Sequence, residues 1–217
     1  MSFLIMDFDH LAQVFSTLEE TSSSLAMRKI LGDFFKEVDA QDIGLVCYLV
    51  LGRLCAFRES LVLGLSEKSV AKAVARASGK SLKQVTTLLE KKGDLGLVAQ
   101  QVLITKPQTL VPIEKLSIHQ LDEMIGKIAN MSGTGSSERK EQLLVRMLGG
   151  VNSLGARYLV RVVLGNIRMG VGEMTVLHAL SLAFDGDKDV LEAAYNIHPD
   201  IGSLARVLAN EGIQGIS

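Results

Sequence analysis

The chain has 217 residues, 47% of them hydrophobic, and a formal net charge of −1. That length and composition suit one sizeable domain or two small ones with an ample core. The near-neutral charge excludes a generally sticky basic protein. The longest apolar runs, such as Leu45 to Leu51, fall far short of the roughly 20 residues that cross a bilayer, and no secretory leader pattern opens the chain. Neither a membrane nor a secreted setting is therefore expected.

Nearly every segment repeats its apolar residues at helical spacing. Phe8, Leu11, Val14, Phe15 and Leu18 make one stripe, and Leu25, Ile30, Leu31, Phe34 and Phe35 the next. Ile43 to Leu54, Val70 to Ala77, Leu82 to Leu89 and Leu95 to Val102 follow. After a break come Ile118 to Met131, Arg139 to Leu148, Ser153 to Leu164 and Met174 to Phe184. Sustained alternation, the mark of a half-buried strand, is missing. Gly79, Gly93, Gly133, Gly149 and Gly150 punctuate helix ends. The pattern predicts an all-α bundle of about a dozen short helices. Cys47 and Cys55 read as buried thiols, and the four histidines show no metal-ligand spacing.

One turn occurs twice. Gly64-Leu65-Ser66-Glu67 and Gly170-Val171-Gly172-Glu173 each precede an apolar helix, and upstream Tyr48-Leu49-Val50-Leu51-Gly52 matches Arg161-Val162-Val163-Leu164-Gly165. Further back, Thr21-Ser22-Ser23-Ser24 matches Ser132-Gly133-Thr134-Gly135-Ser136-Ser137. The chain therefore reads as an internal duplication with a pseudo-twofold, in halves of about 8–103 and 113–217 joined by a linker of about 104–112. The first copy carries an insertion from Arg53 to Leu63.

A glycine turn at a helix start offers free backbone N–H groups and the positive end of the helix dipole. Arg168 stands inside the second such turn. An anion fits there, and the repetitive anion of biology is the nucleic-acid phosphate backbone. The candidate contacts are Gly165, Asn166, Arg168, Gly170 and Gly172 in one turn and Gly64 and Ser66 in its counterpart. A third group is Ser132, Gly133, Gly135 and Ser136 with Arg139 and Lys140 in the following helix, a phosphate nest. Residues 139 to 172 carry Arg139, Lys140, Arg146, Arg157, Arg161 and Arg168 against Glu141 alone, whereas 185 to 217 are acidic. That distribution predicts a basic face on a neutral body. Few aromatics argue against single-strand binding by base stacking.

Four segments carry a resemblance. Lys91-Lys92-Gly93-Asp94-Leu95-Gly96-Leu97-Val98-Ala99 resembles the KGD-x-G-x-VA segment of the N-terminal DNA-binding domain of ATP-dependent DNA ligases, archaeal and eukaryotic. Leu63 to Glu67 resembles its LGIGE, Met131 to Ser136 its TGxGS, and Asn166 to Glu173 its RxRxGxxE. The order is kept from about Phe8 onward, and the short linker resembles archaeal members more than eukaryotic ones. Asn166 departs from the pattern, standing where many relatives have a basic residue.

The resemblance implies an all-helical domain over 1–217 that grips the minor groove of duplex DNA on both sides of a nick, in the cytoplasm (or the nucleus of a eukaryote). It implies ATP and magnesium as cofactors of separate catalytic domains following Ser217. This chain has no Lys-x-Asp-Gly lysine to adenylate, so it is expected to be non-catalytic alone, with no catalytic, cofactor or metal-ligating residue of its own. Gln108 to Val111 lies where archaeal relatives often carry a sliding-clamp motif, here without its closing aromatics. The competing readings are a helical protein-interaction module without DNA binding, and a helix-hairpin-helix repair module, which would need a catalytic Asp or Lys beside the turn.

Overall fold

The computed structural model describes residues 6–56, 61–106 and 114–216. Among these the chain forms twelve α-helices and one short 3-10 helix. In order they are α1 (Phe8–Glu19), α2 (Ser24–Phe35), α3 (Ile43–Val50), α4 (Glu67–Ser78), α5 (Leu82–Lys92) and α6 (Leu95–Val102). The second half adds α7 (Ile118–Asn130), α8 (Ser136–Gly149), α9 (Ser153–Val163), α10 (Glu173–Ala183), α11 (Lys188–Ile197) and α12 (Ile201–Glu211). The all-α expectation holds. α11 and α12, which the apolar pattern alone did not delimit, start at Asp187 and Asp200, whose carboxylates accept the first-turn N–H groups.

Helix ends follow the local chemistry. Ser23, Ser66, Ser81, Asp94, Ser117 and Asn152 each cap a helix start with their own side chain. α3 stops at Val50, short of the expected Leu54, because Gly52 takes a left-handed conformation and the Arg53 N–H donates back to Tyr48 O at 2.8 Å. α9 ends in the same motif: Gly165 is left-handed and Asn166 N–H reaches Arg161 O at 2.8 Å. The two matched helix ends of the sequence are thus matched in hydrogen bonding.

The helices fall into two compact units. One holds α2, α3, α10, α11 and α12 with the later part of α1; the other holds α4 to α9 with the first turns of α1. Neither unit is a half of the sequence. In the first, α2 packs on α10 and α3 on α12; in the second, α8 packs on α4 and α9 on α6. Under the duplication expected from the sequence, α8, α9 and α10 would correspond to α2, α3 and α4. On that reading the two copies would have exchanged partners; each unit draws its helices from both halves of the chain.

Glycines set how close these pairs come. A Cβ on Gly32 of α2 would lie 3.2 Å from Leu182 Cβ of α10. One on Gly44 of α3 would collide with Arg206 of α12 at 2.1 Å, and one on Gly202 of α12 with Tyr48 of α3 at 2.2 Å. Tyr48 Oη also donates to the Asp200 carboxylate. In the second unit a Cβ on Gly96 of α6 would meet Arg157 O of α9 at 2.7 Å.

Exchange makes a test. Residues 1–106 and 114–217, produced as separate chains, should each lack the helices that cover their apolar faces and melt without a cooperative transition. Mixed during refolding, they should give one helical species with a sharp melt by circular dichroism. A cooperative melt from monomeric 1–106 alone would contradict the exchange.

Candidate nucleic-acid interface

The Arg168 turn is built by alternation. Ile167 and Met169 are buried in their unit at 4% exposure each, so Arg168 between them faces out. Among the described residues no hydrogen bond or ion pair holds the Arg168 guanidinium. Gly52, left-handed at φ +75°, lets Ile167 O approach to 2.5 Å of where a Cβ would stand. The far end of the turn is pinned by Glu173, which accepts from the Arg53 guanidinium and the Tyr195 hydroxyl. Burial pushes the Glu173 carboxyl up, but the donors Tyr195 and Arg53 outweigh it and hold the group below its ordinary range. Burial and the facing carboxylate together push the Tyr195 phenol up to about 12.

Between these anchors the backbone is bare. A Cβ on Gly165, Gly170 or Gly172 would meet nothing within 4 Å. Gly165 and Gly170 sit at φ +67°, which explains glycine there. Gly172 has φ −92°, open to any residue, and is the N-cap of α10. A Ser or Asp would cap that helix better, yet no side chain caps it. Nothing internal asks for glycine at 172.

The Ser132 to Ser136 turn is similar. Gly133 and Gly135 are left-handed, and Gly135 starts α8 with no side-chain cap. Ser132, Gly133 and Gly135 are exposed and Ser136 half-exposed. The Arg139 guanidinium bends back, donating to Thr134 O at 3.1 Å and Ser132 O at 3.3 Å. It orders the turn from below while remaining exposed.

The Gly64 turn is built differently. Ser66 caps α4 by accepting the Ser69 N–H at 3.2 Å, so part of this helix start is satisfied internally. Lys140 does not face a phosphate as expected. It is 7% exposed and donates to Leu63 O at 2.7 Å. Its Nζ would lie 3.0 Å from a Cβ on Gly64. The signal was in the sequence: Lys140, Leu144 and Met147 share one buried stripe of α8. Lys140 supports the turn from within.

The basic stretch also needs correction. Arg161 turns inward, donating from Nε and Nη2 to Asp94 Oδ2 at 3.1 and 2.8 Å. Arg157 and Arg161 flank the fully buried Tyr158 ring at 5.1 and 5.7 Å. Of the six expected cations, Arg139, Arg146 and Arg168 remain exposed. A charge stripe that sequence reasoning undervalued lies on α4 and just past it. Lys68, Lys72, Arg76 and Lys80 recur every fourth residue, all exposed. Lys72, Arg76 and Lys80 line a groove of about 700 Å³ against the open start of α8. Arg76 is partly engaged there, with Nη1 3.2 Å from the buried Glu141 carboxylate.

The Lys91 to Ala99 segment is architecture. Gly93 ends α5 in a left-handed conformation, Asp94 caps α6 and pairs with Arg161, Gly96 admits the α9 backbone, and Val98 and Ala99 are fully buried. Gln108 to Val111 lie outside the described residues. Among the described residues no cluster of His, Cys, Asp and Glu could hold a metal ion, and no helix is long and apolar enough to cross a membrane.

Residues 7–181 match the family model described as DNA ligase N terminus. "DNA ligase 2" of Thermofilum pendens is 39% identical over 222 residues, covering 98% of this chain and 37% of that protein. "DNA ligase" of Nitrosopumilus maritimus is 35% identical over 96% of this chain and 36% of its own length. "Probable DNA ligase" of Dictyoglomus turgidum is 36% identical, covering 97% and 36%. The chain thus spans little more than a third of the curated relatives it matches.

The pinning of the turn has a pH signature. Glu173 is held below its ordinary 4.5, so its contribution to stability is present above that value and lost as pH falls through the lower folded value. Tyr195 is raised from 10.0 to about 12, so its contribution is full below pH 10 and lost as pH climbs between them. Glu173→Gln should flatten the acid limb of a melting-temperature profile below about pH 4.5, and Tyr195→Phe the alkaline limb above about pH 10. Curves parallel to wild type at both limbs would show the network to be idle.

Proposed function

The chain belongs to the DNA ligase N terminus family, and on that premise we propose that it grips nicked duplex DNA for an ATP-dependent DNA ligase. It holds the two ends in register through the backbone and minor groove while separate catalytic domains seal them. Its contribution is positioning, which converts an encounter of ends into a near-unimolecular reaction. The observation that carries the reading is the Arg168 turn: an outward guanidinium with no partner among the described residues, beside a helix start without a side-chain cap, whose Gly172 has no neighbour within 4 Å of a Cβ. Backbone N–H groups and a fixed arginine bind phosphate without reading sequence.

ATP and magnesium enter only through the catalytic domains that the resemblance implies. No lysine of this chain stands in Lys-x-Asp-Gly. Alone, the chain is expected to take no label from radioactive ATP; a covalent AMP adduct on it would contradict this assignment.

Binding to a labelled nicked duplex should be independent of sequence and steeply salt-dependent. With about four to six phosphates neutralised by Arg168, Arg139 and the α4 stripe, log affinity should fall against log salt with a slope of roughly −4 to −5. Arg168→Ala should cost about 1–2 kcal/mol, the range of a charge-assisted hydrogen bond. Gly172→Ser separates stability from function. The new hydroxyl caps α10 and should stabilise the fold by roughly a few tenths of a kcal/mol, while it takes the N–H groups and space that DNA uses. A higher melting temperature with weaker binding is expected. Flat salt dependence in the wild type would instead favour a helical protein-interaction module.

A further inference from the structure

The two glycine turns share a feature that phosphate binding leaves unused. With Gly64 aligned to Gly170, Leu63 meets Met169, and both are buried, at 5% and 4% exposure. On the same register Glu67 meets Glu173, Val62 meets Arg168, and Lys68 meets Met174. Each turn therefore presents a cation and an apolar side chain to solvent, in opposite order: Val62 (with Leu61 beside it, 36% exposed) then Lys68, Arg168 then Met174. Val62 is 73% exposed and Met174 44%. Met174 stands on the first turn of α10, where the open helix end favours acidic or polar residues. In both turns an apolar side chain thus stands in water near a cation.

A duplex groove offers the matching surface. Charged phosphates line its rims, and between them lie the C–H edges of the sugars, which apolar side chains contact in minor-groove binders. The bare backbone at Gly170 and Gly172 lets those walls come close. We propose that Val62 and Met174 are positioning residues that pack on minor-groove sugars, one in each turn, while Lys68 and Arg168 meet the adjacent phosphates. The proposal rests on the duplex-binding reading above and adds to it a contact that salt does not screen. It also explains why the cation and the apolar residue trade places: each turn needs one of each, and their order along the chain is free.

Salt separates the two contributions. Met174→Ala and Val62→Ala, in the full chain, should each lower affinity for a labelled nicked duplex about three- to tenfold, the scale of a partly buried apolar side chain. The loss should be equal at every salt concentration, leaving the slope of log affinity on log salt unchanged. Arg168→Ala should instead make that slope shallower by roughly 1. Met174→Leu should retain wild-type affinity. Filling an A·T-rich duplex beforehand with netropsin, a minor-groove ligand, should weaken the wild type and erase its advantage over Met174→Ala. Unchanged melting curves exclude a folding defect. Wild-type affinity in both alanine variants overturns the proposal and assigns these side chains to a protein partner. A change of slope in them overturns it as well. Absence of binding by the wild type itself defeats the duplex-binding reading on which the proposal stands, a distinguishable outcome.

Discussion

The interleaving of early and late helices in each unit is the constraint on which the rest depends. α2 and α3 bury their apolar faces against α10 and α12, while α8 and α9 bury theirs against α4 and α6. A chain built this way passes from one unit to the other between α3 and α4 and again between α9 and α10. Those passages fall at Leu61–Val62 and Asn166–Ile167, at the mouths of the two glycine turns. The turns are therefore not ornaments on a finished bundle. They are where the chain changes unit.

The two crossings are secured by different chemistry. The Ile167 to Gly172 turn is held at its ends, by burial of Ile167 and Met169 and by the Arg53, Tyr195 and Glu173 contacts. The Gly64 turn is held from beneath, by the Lys140 ammonium on Leu63 O. Elsewhere in that unit another lysine serves as a fastener: Lys106 donates to the carbonyls of Leu148 and Gly149 in the last turn of α8 and of Val151 just past it. Burial pushes its ammonium below the ordinary lysine range despite the nearby Asp9 carboxylate. Several cations that composition alone credits to a binding face are in fact spent on the architecture.

The helices were legible because apolar spacing, cap residues and glycine stops act locally. The turns were legible because glycine at a helix start has few other uses. The exchange was not, since an apolar stripe specifies that a face is buried and not which helix covers it. Lys140 and Arg161 were misjudged for a related reason. A run of basic residues reads as a surface, but on a helix alternate members point inward, and only a partner such as Leu63 O or Asp94 shows which are retained there. The Lys91 to Ala99 segment shows the converse: a family-specific run proved to be packing and capping, so its value for recognition said nothing about contact with a ligand.

The copies have also diverged where they matter most. Ser66 and Gly172 occupy one position of the duplicated turn. Ser66 keeps a helix N–H for its own hydroxyl, with Lys140 buried behind the loop. Gly172 offers no such cap, and near it Arg168 has no partner among the described residues. Losing a cap costs helix stability, and the second copy regains some rigidity through Glu173 and its donors, which lie outside the bare stretch. One turn is thus capped by its own serine and propped by Lys140 from within, and the other leaves its helix start open.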